Sequence, residues 1–223
     1  MMNKTVRILL PALLLLIGLA VLLYPKISDR INRFHSSSAV QALGQQMQNT
    51  SREALERQLT LAQEYNTSLL EQRPFSTEYS KILNFGDGIM GSIRIPCIGV
   101  ELPVYHGVDG AVLAKGVGHM PHSAFPIGGE GNHSVLTGHT GLPSAELFTD
   151  LTKMRPGDLF YITVAGMELV YRVDRILTVT PVDNEALMPV SGKDYCTLVT
   201  CTPYGINSHR LLVRGIRVEE GDT

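Results

Sequence analysis

The stretch Thr197-Leu-Val-Thr-Cys-Thr202, followed by Pro203-Tyr-Gly205 and then by His209-Arg-Leu-Leu-Val-Arg214, has the pattern of a β-hairpin. Both runs are rich in β-branched and aliphatic residues, and Pro and Gly separate them. In such a hairpin Cys201, near the end of the first strand, lies roughly 5 Å from Arg210 at the start of the second. Because a positive charge beside a thiol favours the thiolate, the hairpin predicts a reactive cysteine at its turn.

The composition limits the functional class. The chain has 223 residues, a formal net charge of -2 and 44% hydrophobic residues, which does not indicate a nucleic-acid-binding protein. Its length suits one domain of ordinary size and an additional segment. Three cysteines are too few for a disulfide framework. Cys196 and Cys201 face opposite sides of one predicted strand and cannot pair, whereas pairing of Cys97 with Cys196 stays open.

An apolar run near the N-terminus predicts a membrane anchor. Ile8 to Leu23 contains no charged side chain, and with Tyr24 it reaches about 25 Å as a helix, the low end of what crosses a bilayer. A cleaved signal peptide is the alternative, but no small-x-small cleavage site precedes the polar region. We therefore expect residues 1–35 to form an uncleaved transmembrane helix with its flanks. Basic residues are nearly balanced on its two sides and do not orient it.

Residues 36–85 form a polar segment with a helical pattern. Thr50-Ser-Arg-Glu53 looks like a capping box, and apolar residues follow it at helical spacing. This pattern predicts a helical stalk, a helix docked on the domain, or an amphipathic surface helix without chemistry. Arg73-Pro74-Phe75 lies in the irregular segment that follows, before the turn signal Gly86-Asp-Gly88.

Residues 86–218 have the pattern of a mainly β domain, and residues 219–223 form a tail. The predicted strands are rich in β-branched or aromatic residues and are separated by Pro and Gly: Ser92 to Ile98, Leu102 to His106, His133 to Gly138, Asp158 to Val164, Glu168 to Val179, Tyr195 to Thr200 and Arg210 to Val218. Short helical patches are predicted at Ala111 to Lys115 and Ser144 to Leu151. Seven short strands in about 130 residues favour a closed barrel or a sandwich.

The reactive cysteine needs a base, and the chain has seven histidines: His35, His106, His119, His122, His133, His139 and His209. His139 ends a predicted strand between glycines that let a substrate backbone approach closely. His209 is adjacent to Arg210 but points to the opposite face of its strand, so it is the weaker candidate. For each histidine other than His139 we expect a structural or merely exposed role. No convincing Asn or Asp completes a papain-like arrangement.

The order His139, Cys201, Arg210, with Leu-Val-Thr-Cys and His-Arg-Leu-Leu-Val-Arg-Gly around the last two, resembles the sortases. Sortases are cysteine transpeptidases of Gram-positive cell surfaces, and the motifs match class C, the pilin polymerases. Further matching stretches are Gly86 to Gly91, Leu102 to Gly107, Ser134 to His139, Leu142 to Ala145 and Leu147 to Leu151. The resemblance covers residues 86–218 and implies an eight-stranded β-barrel with short helices and a substrate groove that leads to His139, Cys201 and Arg210.

The resemblance also implies the chemistry. Cys201 attacks an LPxTG-like sorting signal between Thr and Gly to form a thioester, His139 protonates the departing amine, and Arg210 holds the oxyanion or the substrate backbone. An amine then takes the acyl group: a pilin lysine in pilus assembly, or a peptidoglycan precursor in a cell-wall-anchoring sortase, which is the alternative. An inert surface assembly module is a third reading. No cofactor, metal or nucleic acid is expected.

Location and a lid are implied as well. Sortases act on secreted proteins at the membrane, so a single-pass anchor in the lipid would leave the catalytic domain on the extracellular face. Class C enzymes often cover their site with a lid that carries Asp-Pro-Phe or a similar triplet, and the matching place here is Arg73-Pro74-Phe75. Arg73 would repel Arg210, which argues against a salt-bridged lid, but Phe75 could still cap the thiol; an ordinary linker is the alternative. Many class C members have a C-terminal membrane span, and without one in residues 219–223 the chain would be singly anchored or shortened.

Overall fold

A computed structural model describes residues 4–141 and 147–219, without the side chains of residues 4–9, 12 and 33. Within these residues two helices precede eight strands, which close into one barrel in the order β1-β2-β3-β4-β7-β8-β6-β5. The elements are α1 (Lys4–Asn49), α2 (Arg52–Leu70), β1 (Ile89–Ile95), β2 (Val100–His106), α3 (Gly110–Leu113), β3 (Val117–His119), β4 (His133–Thr137), β5 (Leu159–Val164), β6 (Met167–Val179), β7 (Tyr195–Thr202) and β8 (His209–Arg217). The mainly β, eight-stranded barrel is thereby confirmed.

The first helix, α1, contains Pro11 and Pro25 and reaches the barrel with its C-terminal part, where Ser36 and Leu43 are buried. The predicted transmembrane helix is not supported. In the part of the chain that the structure describes, no helix combines the length and the apolar character that crossing a membrane requires. The side chains of residues 8, 9 and 12 of the predicted span lie outside that part.

The second helix, α2, is docked on the barrel. Asn66 is fully buried; its Nδ2 donates to the carbonyl of Phe125 at 3.1 Å, and its Oδ1 accepts from the Phe125 N–H at 2.7 Å. The predicted capping box is not formed, because the Thr50 hydroxyl donates to the Gln46 carbonyl at the end of α1. Ser51 therefore caps α2, and its Oγ accepts from the Ala54 N–H at 3.2 Å.

All seven predicted strands are present, with ends shifted by a few residues. The additional strand, β3, has three residues, which is too short to show a period-2 pattern in sequence; it pairs in parallel with β2 and antiparallel with β4. The helical patch predicted at Ala111 to Lys115 is α3. Of the second patch, Thr149–Lys153 forms a 3-10 turn, and residues 142–146 lie outside the description.

Side chains fill the barrel and also cover part of its outside. The interior contains fully buried residues from most strands, among them Ile93, Leu136, Phe160, Ile162, Tyr171 and Leu198. Residues one position away on the central strands point outward, where Val135, Val199 and Leu212 form a second apolar cluster that we call the apolar floor. Ala186 and Leu187, from the connection between β6 and β7, pack on this floor and shelter it from water.

Candidate active site

The predicted hairpin is confirmed as β7 and β8. Their antiparallel register pairs Cys201 with Arg210, and Asn207 in the turn donates its N–H to the Pro203 carbonyl at 2.9 Å. Both side chains are partly exposed and point to the outer face, in line with Val199 and Leu212 of the apolar floor. The thiol and the guanidinium therefore start from neighbouring positions on one accessible surface.

His139 reaches the same surface from the other side of β7. Strand β4 runs parallel to β7 with Thr137 beside Val199, and the Gly138 N–H donates to the Val199 carbonyl at 3.0 Å. This register ends at Thr137, and its continuation by two residues sets His139 level with Cys201. Because neighbouring strands lie about 4.8 Å apart, Cys201 stands between His139 and Arg210, and we call these three residues the reactive row.

The peptide that carries His139 is fixed on two sides. The Thr200 hydroxyl, which is buried, donates to the Gly138 carbonyl at 2.7 Å. The Phe148 N–H donates to the His139 carbonyl at 3.0 Å. Position 138 accommodates only glycine here, since an added Cβ would lie 2.8 Å from the Phe148 ring. The histidine is thus presented from a rigid turn beside the cysteine strand.

The guanidinium of Arg210 is steadied by the hairpin turn. Its Nη1 donates to the carbonyls of Asn207 at 3.2 Å and His209 at 3.1 Å. These bonds hold one nitrogen at the turn, while the planar fork offers further N–H donors suited to a carbonyl or an oxyanion.

The apolar floor begins one row behind the reactive row and is walled by the β6–β7 connection. His133 holds this connection: its Nδ1 lies 3.1 Å from the Met188 carbonyl, and its Nε2 lies 2.7 Å from the Thr197 hydroxyl. Burial lowers the pKa of His133 below its ordinary value, which favours the neutral ring. The neutral ring then donates from Nδ1 to the Met188 carbonyl and accepts from Thr197.

Two further histidines are structural. His119 is fully buried, and burial lowers its pKa to about 4; its Nε2 lies 2.9 Å from the Ala124 carbonyl and its Nδ1 lies 2.8 Å from the Tyr79 hydroxyl. The ring nitrogens of His106 lie 3.0 Å from the Gly88 carbonyl oxygen and 2.7 Å from that of Ile82. The ring nitrogens of both histidines are therefore occupied by contacts within the protein.

The remaining three histidines are exposed. His35 lies on α1 and His122 in the connection between β3 and β4. His209 pairs with Thr202 in the hairpin, one position before Arg210, so it faces the opposite side of β8. Of the seven histidines, His139 is the one that the described register sets level with Cys201.

All three cysteines are free thiols, so the Cys97–Cys196 pair that was left open is not formed. Cys196 points into the barrel and is fully buried, and this burial raises its pKa well above the usual range. Cys97 is exposed, but partial desolvation and the nearby Asp158 carboxylate raise its pKa as well. Cys201 is the thiol that combines partial exposure with a neighbouring cation.

The segment Arg73-Pro74-Phe75 is held against α2. Arg73 pairs with the Glu71 carboxylate, and the Phe75 ring packs edge-on against Tyr65 with 5.7 Å between the centroids. Within residues 4–141 and 147–219, no hydrogen bond, ion pair or ring contact joins this segment to Cys201, His139 or Arg210. A lid role for this segment stays a prediction.

Sequence reasoning missed two supports of the site. Thr200 ends a predicted strand, and its bond to Gly138 depends on a parallel pairing that only the fold reveals. The ring of Tyr204 lies over Gly141, where an added Cβ would be 2.8 Å from it. Gly141 also has φ +73°, a conformation that favours glycine, so the glycine after His139 was the available signal.

Comparison with known proteins agrees with this geometry. A Sortase domain model matches residues 93–218. Sortase A of Streptococcus agalactiae serotype III is 29% identical over 203 residues, which are 88% of this chain and 78% of that protein. The crystal structure of sortase C1 from Streptococcus agalactiae is 41% identical, with a TM-score of 0.78, and the match covers 82% of this chain and 99% of that one. The crystal structure of Streptococcus pneumoniae sortase C is 41% identical, with a TM-score of 0.76, and the match covers 82% and 97%.

The family model spans more than half of the chain, and the sortase C structures match it over most of its length at about 40% identity. The chain belongs to the sortase family of cysteine transpeptidases, within class C.

Proposed function

We propose that this chain polymerises pilins by transferring an acyl group through a thioester on Cys201. The observation that carries the proposal is the reactive row, in which the register of three adjacent strands sets Cys201 between His139 and Arg210. An acid and a cationic hydrogen-bond donor on opposite sides of one sulfur suit acyl transfer, because the leaving amine and the oxyanion develop on different sides of the attacked carbon.

In the first half-reaction the Cys201 sulfur attacks the Thr carbonyl carbon of an LPxTG-like signal. Negative charge develops on the carbonyl oxygen, where Arg210 donates a charge-assisted hydrogen bond. His139 in its protonated form gives a proton to the departing Gly nitrogen, the C–N bond breaks, and the C–S bond remains as a thioester. In the second half-reaction an amine attacks the thioester carbonyl, His139 takes a proton from it, and the sulfur leaves as the new amide forms.

The substrate class follows from the surface beside the row. The apolar side chains that pack on the floor and stay partly exposed include those of Leu177, Val179, Ala186 and Leu187. They suit the Leu and Pro of a sorting signal, and both precede the bond to be cleaved. Two similar proteins support the pilin assignment: one sortase C is described as pilus-related, and a study of the Streptococcus pneumoniae enzyme concerns pilin substrate specificity. We therefore propose a pilin lysine as the acceptor amine.

The experiment that tests this is a competition between acceptors. The purified chain is mixed with an LPxTG peptide, a pilin domain and a peptidoglycan cross-bridge peptide, and the conjugates are identified by mass spectrometry. We expect peptide joined to a pilin lysine, and no conjugate with Cys201→Ala. Conjugation to the cross-bridge alone would favour a cell-wall-anchoring sortase. Neither conjugate nor cleaved peptide would favour an inert assembly module.

We also propose that the catalytic domain acts on the extracellular face of the cell membrane, held there by the N-terminal segment. Large apolar side chains of this segment are exposed, for example Leu15 at 70% and Leu22 at 72%. Contact of this exposed apolar surface with lipid lowers the free energy of the protein. Protease treatment of intact cells should digest the domain. Its protection until lysis, or its release in the soluble fraction without the segment being cut, would contradict the proposal.

A further inference from the structure

A cavity of about 440 Å³ lies beside the apolar floor, on the side away from the reactive row. Its walls come from the C-terminal end of α2, the β3–β4 connection and the β6–β7 connection. The apolar lining includes Leu69, Leu70, Met120, Val135, Leu187 and Met188. A cavity of this size and character suits one or two apolar side chains of a bound peptide.

The cavity and the apolar floor are one continuous surface. Val135 belongs to both, and Leu187 covers the floor while it also lines the cavity, so a peptide that passes from the reactive row over the residues covering the floor runs directly into the cavity. Val135 lies four residues before His139, and His133 lies six residues before it. These two cavity positions are therefore about 13 Å and 20 Å from the reactive row along β4. The Leu of an LPxTG-like signal precedes its Thr by three residues and reaches about 10 Å from the attacked carbonyl.

Chain length therefore assigns the cavity to residues upstream of the motif. We propose that it binds the one to three residues that precede the sorting signal and prefers apolar side chains there. The inference rests on the proposed function, since it assumes that an LPxTG-like peptide passes over the covered floor with its Thr at Cys201. It makes the cavity a specificity site that reads the substrate protein beyond the motif.

Two walls of the cavity, the β6–β7 connection and the end of α2, are held in place in the absence of substrate. On one side His133 holds the Met188 carbonyl at 3.1 Å. On the other side Leu70 of α2 reaches the backbone of the β3–β4 connection, since its Cδ1 would lie 3.3 Å from a Cβ at Gly131. A preformed wall costs a peptide less ordering free energy than a loop that must close.

The α2 wall lies outside the region matched by the family model, residues 93–218. Helix α2 thus adds to the barrel a surface that the common domain does not supply. The cavity also contains a buried acceptor. Asn132 lines the cavity and is 3% exposed, and its Oδ1 accepts no hydrogen bond from any residue that the structure describes. A backbone N–H of a bound peptide is the chemical complement of such an acceptor.

The test uses two peptides of equal length, with Gly-Ser-Gly or Ile-Ala-Ile before the same LPxTG motif. Transfer to a fixed amine acceptor is measured as kcat/KM with the whole chain. We expect the apolar peptide to be about fifteenfold better, mainly through KM, because about two methylene groups' worth of burial has that effect. Leu70→Gln and Met188→Gln, at side chains 46% and 58% exposed, should each abolish the difference and leave the Gly-Ser-Gly peptide unchanged.

Val182→Gln is the matched control, since Val182 lies in the β6–β7 connection, is 89% exposed and does not line the cavity. This variant should keep the preference. Equal kcat/KM for the two peptides, or a preference that survives both cavity variants, would overturn the inference and leave the proposed function standing. If neither peptide is transferred, the proposed function fails and the inference fails with it.

Discussion

The hydrogen bond from Thr200 to Gly138 gives the sharpest link between the fold and the reactive row. Its Oγ1–O distance is 2.7 Å, Thr200 is 1% exposed, and the accepting carbonyl precedes His139 directly. Thr200→Val keeps the shape of the side chain and removes the donor. The Gly138 carbonyl then loses a buried partner, and the peptide that carries the histidine loses one of its two fixed sides.

The magnitude follows from the burial of this bond. Leaving a buried carbonyl without its partner costs about 1–3 kcal/mol of unfolding free energy, or a fall of roughly 2–12 °C in melting temperature for a chain of this size. A shift of the histidine by about 1 Å lowers turnover by up to about a hundredfold. We expect kcat for peptide transfer to fall at least tenfold, with little change in KM, because Thr200 is buried on the face of β7 opposite the substrate surface.

Urea unfolding and steady-state transfer measure the two effects. Thr200→Ser keeps a hydroxyl and should recover most of kcat. Thr202→Val is the control, because Thr202 is partly exposed and no hydrogen bond of its side chain occurs within the described residues. If Thr200→Val matches the wild type in both assays, or if the serine variant is as impaired as the valine variant, the reasoning is refuted.

Three further predictions test other parts of the site. Arg210→Lys keeps a charge but loses the planar fork, so transfer should fall greatly while the circular dichroism spectrum stays unchanged; full activity of Arg210→Ala with an unchanged pH profile would remove the role given to this residue. A thiol reagent should label Cys201 and the exposed Cys97 in the folded protein and Cys196 only after unfolding, because Cys196 is buried and its pKa is raised; labelling of Cys196 in the native state would contradict its placement. The pKa of His119 is about 4 in the fold, against 6.5 as its ordinary value, so the unfolded chain takes up a proton on this histidine more readily than the folded chain. The contribution of the neutral, buried His119 to the free energy of unfolding is therefore complete above pH 6.5 and falls by on the order of 3 kcal/mol toward pH 4. Relative to wild type, His119→Gln should lose less unfolding free energy over that interval, and an identical loss would show that the histidine is not buried as described.

The hairpin could be predicted from sequence because its determinants are local. Two short β-rich runs and a Pro-Gly turn set the register of Cys201 against Arg210, and an odd spacing set Cys196 on the other face. The choice of His139 needed the family resemblance as well as its glycine-flanked strand end. The parallel pairing of β4 with β7 then gives that choice a geometric basis.

The features that sequence did not predict depend on contacts between distant parts of the chain. Strand β3 has three residues and exists because β2 and β4 flank it. Docking of α2 rests on Asn66 bonding to Phe125, 59 positions away, and no local pattern encodes that pair. The cavity beside the floor is formed by α2, the β3–β4 connection and the β6–β7 connection, which are far apart in sequence. The pattern of α2 alone therefore predicts no more than a stalk, a docked helix or a surface helix.

The central claim is that Cys201 holds the acyl group between donor and acceptor. The direct measurement is intact-protein and fragment mass spectrometry after brief mixing with an LPxTG peptide in the absence of amine. The account predicts an adduct of the peptide cut after Thr, located on Cys201, absent in Cys201→Ala, and lost when an amine is added as the peptide–amine product forms. Amine conjugates formed without such an adduct at several pH values, or an adduct located on Cys97, would contradict it.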